Sequence, residues 1–153
     1  MRDLEPEALF CIAVLRTWVA AHRPDGAATP DWHAVCAEGE LTDDAVQAFG
    51  AFLDALRRGM RRPLDIRCRL CPLVGRDEEF LLALLGALQR GDVLSGLDVL
   101  ADWLEQPAVM PALPLAMRLA AAARDCEICI HAPAPAPPRS GSCNGSAWAA
   151  RLH

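Results

Sequence analysis

Apolar residues recur at helical spacing in one segment of the chain after another. Phe10, Val14, Trp18 and Ala21 form a stripe, widened by Ile12 and Leu15, that predicts a first helix over about Glu5 to His22. Pro6 suits its first position, Glu5 and Glu7 favour the positive end of the helix dipole, and Arg23-Pro24-Asp25-Gly26 ends the pattern. A short second helix is expected with Thr29 as N-cap, Pro30 at N1, and Trp32, Val35 and Cys36 facing inward. The third has the clearest local signal. Thr42 is its N-cap, Asp43 and Asp44 fill its first turn, and Leu41 can pack on Val46 as a hydrophobic staple. Phe49, Phe52, Leu53, Leu56 and Met60 then make one apolar face, with Arg57 and Arg58 at the negative end and Gly59 and Pro63 as the stop.

Residues 61–76, RRPLDIRCRLCPLVGR, show no period and read as an irregular loop. A fourth helix begins near Asp77 and carries Phe80, Leu81, Leu84, Leu85 and Leu88. Gly91-Asp92 closes it and can cap a fifth, bearing Val93, Leu97, Leu100 and Leu104. So short a connection predicts an antiparallel pair, and apolar residues on more than one side predict a central place for both. Pro107, Pro111 and Pro114 are expected to delay the last helix to about Pro114–Arg124, where alanines allow close helix approach. Beyond Asp125, the stretch HAPAPAPPRSGSCNGS cannot bury a core and reads as a partly polyproline tail. The pattern predicts an all-α bundle of five to six helices in one domain, 1–125, with an Arg/Cys loop between helices three and four. A flexible Cys/Pro/Ala/Ser-rich tail, 126–153, completes the chain.

Composition sharpens the fold class. Val, Ile and Thr together supply 15 of the 153 residues, Ala and Leu supply 50, and Tyr is absent, which argues against a β-sandwich or barrel. No uncharged apolar run reaches the roughly 18 residues a transmembrane helix needs. Met1 to Pro6 carries acids where a secretory signal has a basic region, and seven cysteines without an export signal imply reduced thiols; a cytoplasmic location is expected.

Charge changes the picture more. The net of −5 conceals a segregation: residues 57–76 hold Arg57, Arg58, Arg61, Arg62, Arg67, Arg69 and Arg76 against Asp65 alone. The acids outnumber the arginines on both sides of that segment. Two readings are open. In one, the guanidinium groups pair with acids of the flanking helices in a solvated loop. In the other they form a site for an acidic protein or a phosphate-bearing ligand, since Arg presents a planar fork matched to carboxylate and phosphate. Nucleic acid is disfavoured, because the acidic remainder would repel the polymer and no helix-turn-helix, finger or aromatic RNA-binding motif is present.

Within the basic segment lies Cys68-Arg-Leu-Cys71, and a second pair, Cys126-Glu-Ile-Cys129, follows the last helix. Cys-x-x-Cys puts two sulfurs on one turn, and two such pairs can complete a four-cysteine zinc site, with His131 and Cys143 as spare ligands. The same spacing suits a thiol-redox or iron–sulfur protein. Against both stands the plainer reading that Cys11, Cys36 and Cys68 are small buried hydrophobes. No phosphate-binding glycine loop, zinc-protease helix or nucleophile elbow is present, and nothing assembles a nucleophile, base and oxyanion donor. Asp98 and Asp102 share a helix face, and His33 has only Asp31 near it. The expectation is a helical binding or regulatory module rather than an enzyme, working through 57–76.

Overall fold

In the computed structural model, which describes residues 4–22 and 31–131, six helices follow one another. They are α1 (Pro6–Ala21), α2 (Trp32–Glu38), α3 (Asp43–Gly59), α4 (Arg76–Gln89), α5 (Val93–Trp103) and α6 (Gln106–Asp125). Cys11, Ile12, Val14, Leu15, Trp18 and Val19 of α1 are buried. The N-cap of α2 is Asp31, whose carboxylate accepts the His33 N–H at 3.0 Å; Thr29 and Pro30, expected at that boundary, lie outside the described residues. Helix α3 keeps its predicted start, with the Thr42 hydroxyl accepting the Ala45 N–H at 3.3 Å, and buries Phe49, Phe52, Leu53 and Leu56.

Helix α4 is central, with Leu81, Leu82, Leu84 and Leu85 all buried. Gly91, at φ 80°, turns the chain out of α4, and Asp92 caps α5 through the Ser95 N–H. The expectation that α5 is equally central fails. Only Gly96, Leu100 and Trp103 of it are buried and Leu94 is 76% exposed, because α4 and α6 pack against α5 while its remaining side faces solvent.

The last helix also differs from expectation, starting at Gln106 rather than near Pro114. Pro107 falls in the first turn, where no N–H is needed. Pro111 and Pro114 lie inside the helix but on its exposed side, each giving up one backbone hydrogen bond. Burial outweighs that loss: Val109, Ala112, Ala116, Leu119, Ala120 and Ala123 form an unbroken stripe in a helix that packs on α3, α4 and α5. The approach to α3 is close enough that a Cβ at Gly59 would lie 2.7 Å from that of Ala108.

The end of α3 is tied to the α5–α6 junction by an antiparallel bridge between Met60 and Leu104. In it the Arg61 N–H donates to the Trp103 carbonyl at 3.0 Å and the Glu105 N–H to the Gly59 carbonyl at 2.9 Å. Packed structure continues past the expected boundary at Asp125. Glu127 takes a left-handed φ of 62°, its N–H donates to the Arg124 carbonyl and that of Ile128 to the Ala123 carbonyl, a Schellman ending without glycine. Ile128 and Ile130 are buried, and Gln89 brackets them, donating to the Ile128 carbonyl at 2.8 Å and accepting the Ile130 N–H at 2.9 Å. Folded chain thus reaches His131; the tail expected beyond it lies outside the described residues. Among the described residues no helix is long and apolar enough to cross a membrane.

Candidate functional site

The basic segment between α3 and α4 is irregular but not loose. It is shaped around two adjacent carboxylates in the first turn of α4. Asp77 is 1% exposed and Glu78 is fully buried. Their position at the helix N-terminus offsets part of the cost of burying charge, and dense hydrogen bonding does the rest.

Glu78 faces Arg16, which projects from α1 with a side chain only 2% exposed. The pair is bidentate, Nε to Oε1 at 2.7 Å and Nη2 to Oε2 at 2.8 Å. The Glu78 oxygens also accept the Arg67 N–H at 3.0 Å and the Gly75 N–H at 2.7 Å. Arg16 meanwhile donates Nη1 to the Cys71 carbonyl at 2.8 Å and Nη2 to the Leu73 carbonyl at 2.7 Å. Burial acts to lower the Arg16 pKa, but the hydrogen bond to Glu78 outweighs it and raises it. One buried ion pair therefore holds the loop backbone at four places between residues 67 and 75.

Asp77 organises the preceding stretch. Arg62 grips both its oxygens, Nη2 to Oδ1 at 2.7 Å and Nη1 to Oδ2 at 2.9 Å, and also pairs with Asp102 of α5. The Asp65 N–H at 2.6 Å and the Trp103 indole N–H at 2.8 Å complete the set. Burial pushes the Asp77 carboxyl pKa up, yet these donors, Arg62 first, outweigh it and hold it below the usual aspartate range. Gly75 is required between the two clusters, since a Cβ there would meet the Asp65 carbonyl oxygen at 2.2 Å.

The seven arginines thus divide. Arg62 and Arg67 face inward, Arg67 also pairing with Asp65 at 3.2 Å. Arg57 lies 3.7 Å from Asp54, and the Arg76 guanidinium sits 4.9 Å over the Phe80 ring. Arg58, Arg61 and Arg69 are exposed and form no ion pair among the described residues. The loop tip carries Arg69 beside Leu70, which is 92% exposed, with Leu73 at 54%.

Among the described residues the four cysteines expected as zinc or iron–sulfur ligands lie in two separate places. Cys68 is exposed and Cys71 half-buried in the loop, while Cys126, half-buried, sits 3.7 Å from the Thr42 hydroxyl and Cys129 is exposed. Among the described residues no three His, Cys, Asp or Glu side chains converge to hold a metal, so the two pairs are not brought together. Cys11 and Cys36 are buried, as the plainer reading held, and Cys68 is not. Asp98 and Asp102 do not act as a pair either, because Asp102 is taken by Arg62. They border a groove of about 390 Å³ between α4 and α5 with Arg76, Phe80 and Ser95.

Sequence reasoning missed Arg16, Asp77, Glu78 and Trp103 as a unit. One signal was available: Arg16 falls at the spacing of Ile12, Leu15 and Val19, inside an apolar stripe where an unpaired charge is not tolerated. The class defined by fold and site is an all-α bundle that displays a braced, arginine-bearing loop. Comparison with protein-family models, with curated proteins and with solved structures finds no match to this chain.

Proposed function

We propose that the protein is a binding module whose braced 67–73 loop, with the exposed arginines around it, docks an acidic, leucine-bearing segment of a partner protein. The observation that carries this reading is Leu70, almost fully exposed next to Arg69 on a loop whose carbonyls are held from beneath by Arg16. An exposed leucine on a rigid support gains apolar burial on docking without a large ordering cost. A free phosphate would engage the arginines and leave Leu70 and Leu73 in water, so the protein partner is favoured over a phosphate-bearing ligand. Reduced surface thiols suit a reducing compartment such as the cytoplasm.

The inward roles of Arg62 and Arg67 dictate the test: the probing variant replaces Arg61 and Arg69 with Gln and Leu70 with Ser, and spares the other two. Calorimetric titration with a synthetic acidic peptide containing leucines should give salt-sensitive binding that this variant weakens at least tenfold. Pyrophosphate is the control. Equal binding of the peptide by variant and parent, or binding of pyrophosphate alone, would overturn the proposal.

A further inference from the structure

We propose that Cys68 and Cys71 form a thiol–disulfide exchange site that takes low-molecular-weight disulfides such as glutathione disulfide. The two residues are the ends of one tight turn, closed by the Cys71 N–H donating to the Cys68 carbonyl at 3.0 Å. Turns with that bond keep their end Cα atoms within about 7 Å, overlapping the roughly 4.4–6.8 Å that a disulfide spans. The turn is held in place, since Arg16 binds the Cys71 carbonyl.

Accessibility divides the roles. Cys68 is exposed and meets the incoming disulfide; Cys71, half-buried, resolves the intermediate. The Cys68 thiolate attacks one sulfur of glutathione disulfide, forming a mixed disulfide and releasing one glutathione thiolate. The Cys71 thiolate then attacks Cys68 Sγ, forming the Cys68–Cys71 bond and expelling the second glutathione. The protein loses two electrons and two protons, the small disulfide is reduced to two thiols, and no other reactant is needed.

The remaining described cysteines are unsuited. Cys11 and Cys36 are buried. Between Cys126 and Cys129 the chain turns left-handed at Glu127 and buries Ile128, and the Cys129 N–H donates to Glu127 rather than to Cys126. That pair lacks the closing bond that holds Cys68 and Cys71 together.

The test is equilibration of the full-length reduced protein in glutathione buffers of rising oxidised fraction, followed by acid quenching, tryptic digestion and mass spectrometry. Exchange at this site links the dipeptide Cys68-Arg69 to the peptide 70–76, with loss of two hydrogens. Cys68→Ser and Cys71→Ser, neither of them in the buried core, should instead retain one glutathione on the remaining cysteine. The proposal is overturned if the loop thiols stay free in fully oxidised buffer or if wild-type Cys68 retains glutathione. It is equally overturned if the only internal disulfide joins Cys126 to Cys129.

Discussion

Arg16 and Glu78 lie 62 residues apart in the chain and meet as a bidentate ion pair sealed from solvent. Neither has water to fall back on, so each depends on the other and on the loop amides and carbonyls around them. Removing one partner strands the other. Glu78→Gln and Arg16→Met should each cost about 3–5 kcal/mol in urea unfolding, and the double variant less than their sum. Amides of residues 67–75 should lose hydrogen-exchange protection in both. Additive losses would show that the two side chains act separately.

Asp77 predicts a pH dependence. Its folded pKa lies below the usual carboxylate value of about 3.9, so it binds protons less readily folded than unfolded. Its contribution is fully present above that unfolded value and is lost as pH falls through the depressed folded one. Asp77→Asn should therefore be less stable at neutral pH and show a flatter decline below about pH 4. Urea midpoints measured from pH 7 to pH 2 check this; parallel curves would refute it.

Thiol reactivity should follow burial. Burial, with a smaller push from Glu7, raises the Cys11 thiol to about 12, and burial followed by Asp31 raises Cys36 to about 11. Neither should be alkylated by iodoacetamide at pH 8 in the native state, while exposed Cys68 and Cys129 react early. Peptide mapping over time gives the order. Labelling of Cys36 before Cys68 would contradict the packing.

Pro114 sits inside α6 on its exposed side. Pro114→Ala restores a backbone donor without disturbing the buried stripe. After the lost restraint on the unfolded chain is subtracted, a gain of about 1–2 kcal/mol is expected. A rise in melting temperature reads it out, and a fall would show that the ring is needed.

Ile128 and Ile130 make the last described residues part of the core. Each truncation to Ala should cost about 2–5 kcal/mol, as for other buried isoleucines. A loss of less than about 1 kcal/mol for both together, the cost at a loosely packed or exposed site, would place them outside it.

Helix α3 was readable in full because its cap, its end charges and its apolar face are local. Helix α6 was not, because proline propensity is local while the burial that overrides it comes from α3 and α4. The ends of α2 and α6 escaped notice for a related reason: Glu40 and Glu127 take left-handed positions that sequence reading assigns to glycine. In the site, the concentration of arginine and the Cys68–Cys71 turn were visible. Which arginines turn inward was not, since that is decided by Asp77 at one end and by Asp102 and Trp103 at the other.

The bracing of the loop by α1 and α4 has a consequence for when the loop exists at all. Its shape is specified by partners that arrive from distant parts of the chain, so no local folding event can produce it. A collapsed intermediate with every helix formed but α1 undocked would display the same residues without their arrangement. The braced loop is in this sense a signature of completed assembly, shown only by chains that have finished folding.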